Sequence, residues 1–126
     1  MIIAINQPWS RVIMSEKNKK KAYFIKKTIK ALGLKNAEVI DAAITPSTTN
    51  LKPFDVITAR ALAPSKDIVN MSVQLLAPNG FFLLMKGKKE TTTNEVNDLD
   101  STKYSYTIHP KRLPKTQRHI LEIKKK

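Results

Sequence analysis

Cysteine is absent from the 126 residues, which excludes a disulfide framework, a thiolate nucleophile and a cysteine-based zinc site. Glycine is almost as scarce, with only three: Gly33, Gly80 and Gly87. None precedes Glu16, so the early part of the sequence holds no glycine-rich loop of the kind that lets backbone approach a ligand without a Cβ clash. No apolar run approaches the ~20 residues needed to span a bilayer. The opening Met1-Ile2-Ile3-Ala4-Ile5 is too short for a secretory signal and has no basic region before it, so a cytoplasmic location is expected. Paired carboxylates and Ser-His or Cys-His arrangements are also missing, which argues against hydrolases that work through them. The two histidines, His109 and His119, stand ten residues apart on different expected elements. That spacing gives little support to a metal site.

Acidic residues are the remaining scarcity: 10 Asp+Glu against 23 Lys+Arg give a net charge of +13. An anionic partner follows, and nucleic acid fits better than membrane. The basic excess falls in three regions. The first is Lys17 to Lys30, the second is Lys86, Lys88 and Lys89, and the third runs from Lys111 and Arg112 through Arg118 to the tail Lys124-Lys125-Lys126. Each region alone reads as a solvated face. Phosphate contact requires several of them to act together, because counterion release scales with the number of phosphates neutralised.

At this length the chain forms one domain, residues 1–126. Arg11 to Ser15 is a short apolar run suited to a buried parallel strand. Ala22, Ile25, Ile29 and Leu32 form one stripe of a helix that Gly33 stops. Ala37 to Asp41 is a second strand, and Thr45 to Pro53 a polar loop. Phe54 to Thr58 is a third strand, after which Pro64, Ser65 and Asp67 open a helix reaching Leu76. Pro78-Asn79-Gly80 predicts a turn. Phe81 to Lys86, nearly all apolar, predicts a strand covered on both faces. Thr91 to Asp100 is weakly helical, Pro110 and Pro114 bracket a loop, and Tyr104–His109 and His119–Ile123 alternate as a terminal antiparallel pair.

Three segments in this order, F-D-V-I-T-A-R-A at 54–61, L-L-A-P-N-G at 75–80 and L-L-M-K-G at 83–87, resemble the second half of a class I methyltransferase domain. Specifically, they resemble the ribosomal RNA small subunit methyltransferase G family, also called glucose-inhibited division protein B. The resemblance implies an α/β fold, a class I S-adenosylmethionine-dependent methyltransferase (Rossmann-like) domain lacking its first strand and glycine-rich loop. It implies an N-terminally truncated member, in which Ile2 to Pro8 matches the end of the helix that follows that loop. The implied activity is transfer of a methyl group from S-adenosylmethionine to N7 of a guanosine in 16S ribosomal RNA. No general base is required, because the N7 lone pair is available in the neutral base and positioning supplies the acceleration. No catalytic side chain is therefore assigned.

The resemblance also assigns a site. A carboxylate at a strand end, just before a helix, accepts hydrogen bonds from a ribose diol, and Glu16 stands there. The family's D-S-x-G-K-R-x-x-F-L becomes Glu16-Lys17-Asn18-Lys19-Lys20-Lys21-Ala22-Tyr23-Phe24-Ile25. Ile44 and Thr45 occupy the adenine-framing segment, although the family's usual R-x-E is replaced by Ala43-Ile44-Thr45. Arg60, between Ala59 and Ala61, is a planar fork for the cofactor carboxylate or an RNA phosphate. Lys20, Lys86, Lys88, Arg112 and Arg118 are the expected RNA contacts, and Gln117-Arg118-His119-Ile120 matches the start of the family's last strand.

In the family's sheet the absent first strand lies between the strands expected at 11–15 and 54–58, so its loss leaves two open edges. A degraded or split gene, a misassigned start, or a short protein completed by a separate chain supplying the missing N-terminal half would each account for this. The rival reading, from another class, is a non-catalytic basic RNA- or ribosome-binding protein. It explains the charge and the lost loop, but gives no reason for Glu16 and Arg60 at strand ends.

Overall fold

The computed structural model describes residues 2–48, 51, 53–60, 64–86, 97–110 and 119–126. Two compact units divide the chain, Met1–Ile44 and Thr45–Lys126.

The first unit runs α1 (Ile2–Asn6), β1 (Val12–Ser15), α2 (Lys19–Ala31) and β2 (Ala37–Ile40). β1 and β2 pair in parallel, Val12 with Ala37 through Ser15 with Ile40. The Asn18 side chain caps α2 by accepting the Lys21 N–H at 3.1 Å, meeting one of the helix's orphan donors. At the other end Gly33 takes φ +64°, and the Gly33 and Leu34 N–H groups return to the Lys30 and Ile29 carbonyls. This is the left-handed stop that the glycine predicts. Ala22 is buried and Ile25 and Ile29 half-buried, but Leu32 is exposed. Leu32 is the C-cap, so the chain turns away before the expected stripe reaches it. The Asn36 amide nitrogen donates to the carbonyls of Ala4 (3.0 Å), Gln7 (3.2 Å) and Ser10 (2.8 Å). One side chain thereby ties α1 and its following loop to the approach of β2.

The second unit runs β3 (Phe54–Arg60), α3 (Ser65–Ser72), a 3-10 turn (Val73–Leu75), β4 (Leu76–Lys86), β5 (Tyr104–Pro110) and β6 (His119–Lys125). Its sheet order is β3-β4-β6-β5. β3 and β4 are parallel, and β6 is antiparallel to both β4 and β5. The expected terminal antiparallel pair is thus present, with β6 inserted between β4 and β5.

Two details differ from expectation. The helix expected to reach Leu76 ends at Ser72, whose hydroxyl donates back to the Ile68 carbonyl at 2.6 Å. Such a local bond competes with helix continuation. Pro78-Asn79-Gly80 is an irregularity inside β4 rather than a turn ahead of it. A step from 54 to 56 on β3 matches a step from 76 to 81 on β4, and Pro78, lacking an N–H, is tolerated at such a bulge. Gly80 is required there, since a Cβ would sit 2.8 Å from both the Asp55 carbonyl oxygen and Leu76 Cδ1. Gly80→Ala is expected to destabilise the chain by about 1–3 kcal/mol through overpacking. A urea midpoint unchanged from wild type would contradict that account of the bulge.

Ile68 and Val69 of α3 join Phe82 and Leu84 of β4 and Leu121 and Ile123 of β6 in the core of this unit. The sequence predicted cover on both faces of 81–86. Instead burial alternates, with Phe82, Leu84 and Lys86 buried, Phe81 and Leu83 half-buried, and Met85 43% exposed. α3 supplies one packed face only. Among the described residues β1 pairs with β2 alone and β3 with β4 alone, so each strand keeps one edge without a strand partner. The helix expected over 91–100 and the loop expected around 110–114 fall largely outside the described residues.

Candidate functional site

In the first unit the carboxyl ends of two parallel strands lead into Glu16 and toward Ile44, while Thr45 and Arg60 belong to the second unit. Glu16 follows β1 directly, and its N–H donates to the Ile40 carbonyl at 3.0 Å, extending the ladder by one bond. The Ser15 hydroxyl donates to the Ala42 carbonyl at 2.7 Å. That bond holds the segment leaving β2 against the end of β1, with half-buried Ile44 two residues farther on. The Glu16 carboxylate accepts the Asn18 N–H at 3.0 Å through one oxygen. Among the described residues its second oxygen accepts no hydrogen bond, so acceptor capacity remains for a diol. Beside it Lys20, Lys21, Phe24 and Ile25 complete an open hollow.

In the second unit Thr45 is more committed than the sequence implies. Its N–H donates to the Thr48 hydroxyl at 3.0 Å. Its carbonyl accepts the Gln74 amide at 2.8 Å, and the same nitrogen donates to the Thr48 and Met71 carbonyls. Gln74 therefore straps the 45–48 loop to the end of α3. Neither Gln74 nor Asn36 carries a motif or a periodic position, so nothing in the sequence pattern marks these two straps. Arg60 ends β3 opposite Met85 of parallel β4, which puts Lys86 one residue beyond at the adjacent strand end. Lys86 is only 8% exposed and shares the buried side of β4 with Phe82 and Leu84. Lys88, Arg112 and Arg118 lie outside the described residues.

The antiparallel end carries one further charged group. Glu122 of β6 accepts from His109 Nε2 of β5 at 2.8 Å, and Lys124 Nζ lies 3.1 Å from its other oxygen. The His109 hydrogen bond first, and Lys124 second, hold this carboxyl below the ordinary glutamate range. Exposed pairs of this sort contribute little to stability. The group is best understood as fixing cross-strand pairing at the sheet end.

A parallel pair continued by an antiparallel pair, in the order β3-β4-β6-β5, defines the class: the fold is α/β and that of a class I methyltransferase, in partial form. A methyltransferase from Streptococcus mutans, solved in complex with SAH, superposes with a TM-score of 0.65 at 14% identity, over 92% of this chain and 76% of that one. The model of the GidB family, rRNA small subunit methyltransferase G, matches residues 1–122, and the chain belongs to that family. It is similar to ribosomal RNA small subunit methyltransferase G of Methylococcus capsulatus, 33% identical over 124 residues, covering 97% of this chain and 58% of the relative. It is also similar to that of Psychrobacter cryohalolentis, 34% identical over 125 residues, covering 98% of this chain and 50% of the relative. The chain thus spans about half the length of the curated relatives it matches.

Proposed function

We propose that this chain forms part of one S-adenosylmethionine-dependent methyltransferase domain that methylates N7 of a guanosine in 16S ribosomal RNA, in the cytoplasm. The observation that carries the reading is the family match over residues 1–122. Glu16, Ile44, Thr45 and Arg60 hold the cofactor in this reading, and Lys20, Lys88, Arg112 and Arg118 face the RNA, while Lys86, expected there from the sequence, lies on the packed side of β4. The donor set suits the ligand: an acceptor for the ribose diol at Glu16 and a cation for the carboxylate at Arg60. Thr45 contributes shape rather than its N–H, which Thr48 already holds.

S-adenosylmethionine supplies an electrophilic methyl group. The protein's task is to align it with the N7 lone pair and to neutralise phosphate nearby, with no proton to remove before attack. The sequence has no glycine-rich loop before Glu16. A complete pocket therefore needs a further segment of polypeptide, from the same protein or a second chain, and such a segment also offers a strand to the open edges of β1 and of β3.

Methyl transfer from labelled S-adenosylmethionine to purified small ribosomal subunits, followed by nucleoside digestion and mass spectrometry, tests the reading. Label in 7-methylguanosine is expected. Label in another nucleoside would refute the proposed specificity. Tight RNA binding without transfer, even in the presence of the remaining family segments, would favour the non-catalytic ribosome-binding alternative.

A further inference from the structure

Helix α2 violates local electrostatics in a way its fold does not require. Its thirteen residues contain six lysines and no acid, and its first turn is Lys19-Lys20-Lys21. Cations there oppose the positive end of the helix dipole, and Lys26 and Lys30 repel each other at i, i+4. Capping by Asn18 and packing of Ala22, Ile25 and Ile29 keep the helix formed despite this. A local rule broken with no acid within the helix to offset it points to compensation from outside the helix, and an anionic ligand supplies it.

The exposed side of α2 also carries rings. Tyr23 is 63% exposed and Phe24 70%. At helical spacing Tyr23 falls in the same arc as Lys19, Lys20, Lys26, Lys27 and Lys30, all exposed. Lys27 Nζ stands 5.5 Å from the Tyr23 ring centroid, within cation–π range. It covers one ring face, and the exposure of the residue leaves surface for a second planar group.

Cations interleaved with accessible aromatics form a backbone-tracking, base-stacking surface. An interfacial membrane helix separates a broad apolar face from its charges. In α2 the aliphatic face is instead directed at its own unit, and the rings sit among the lysines.

We propose that α2 is a docking surface for single-stranded RNA, with Tyr23 stacking on a base, Phe24 offering a second stacking surface and the surrounding lysines pairing with phosphates. The inference rests on the preceding reading only for the choice of RNA among polyanions. It adds a recognition surface that methyl transfer itself does not require.

Fluorescence anisotropy of a labelled single-stranded oligoribonucleotide, titrated with the full chain without cofactor, tests it. Tyr23→Ala is expected to weaken binding about tenfold, as loss of one stacked base does. Tyr23→Phe, which keeps the ring, should bind as wild type. Lys27→Gln should lower the slope of log affinity against log salt by about 0.7, the value for one single-strand phosphate contact. Tyr23→Trp in a Trp9→Phe background gives a direct readout, since stacking quenches the indole. Tyr23→Ala binding as tightly as wild type, or Tyr23→Phe as weakly as Tyr23→Ala, would overturn the proposal. So would tighter binding to phosphatidylserine vesicles or to duplex RNA than to the single strand. Should cofactor binding fail even with the remaining family segment supplied, while the Tyr23 series behaves as expected, the methyltransferase reading falls and the docking surface stands.

Discussion

Phe82→Ala should lower the free energy of unfolding by about 3–5 kcal/mol, the range for removing a large aromatic from a packed core. Phe82 is 0% exposed. It lies between Ile57 of β3 and Ile123 of β6 in the ladder and belongs to the cluster formed with Ile68 and Val69 of α3. A domain of ordinary stability has only about 5–15 kcal/mol to lose, so the variant should be partly unfolded at moderate urea where wild type is intact. Met85→Ala on the opposite side of β4, where the residue is 43% exposed, should cost far less. Equal losses at the two positions would contradict a core built on one face of the sheet.

Arg60→Ala should remove cofactor affinity. In the proposed site this residue supplies the cation for the cofactor carboxylate, and truncating one partner of a hydrogen-bonded charge pair costs about 2–5 kcal/mol, roughly thirtyfold or more in the dissociation constant. Arg60→Lys should recover only part of that, because a point charge does not replace a bidentate fork. Affinity for RNA should hardly change, since α2 and the other basic regions carry most of the phosphate contacts in this account. Calorimetric titration of S-adenosylmethionine against wild type and both variants, each with the remaining family segment supplied, gives the numbers. Unaltered cofactor binding in Arg60→Ala would remove Arg60 from the pocket.

The elements legible in the sequence were those where one physical signal dominated. β1 and β2 are short apolar runs, and the end of α2 is written in Gly33, whose left-handed φ satisfies the Lys30 and Ile29 carbonyls. Alternation in Tyr104–His109 and His119–Ile123 gave β5 and β6. Pro78-Asn79-Gly80 was misleading because the same residues serve a turn or a bulge, and only the neighbouring strand decides. At Gly80 the decision is made by the approach of the Asp55 carbonyl. The apolar run 81–86 suggested two covered faces, yet its one-sided burial depends on which helices are present, a property of the whole assembly of elements.

The candidate site is legible in family segments rather than in chemistry, since Glu16 and Arg60 are ordinary charged residues until their strand-end positions are known. The exposed rings of α2 lie within a stretch whose lysines are plain in the sequence. What joins the rings to that basic surface is the Lys27 ammonium, 5.5 Å from the Tyr23 ring centroid, a pairing the sequence alone does not display.

The central claim is that these residues form the rear of a methyl-donor pocket. Titrating S-adenosylmethionine into the isotope-labelled chain, with the remaining family segment supplied and while following backbone amide resonances, tests it most directly. The account predicts saturable shifts at Glu16, Ile44 and Arg60. Shifts confined to other residues, or none in a chain shown to be folded, would contradict it.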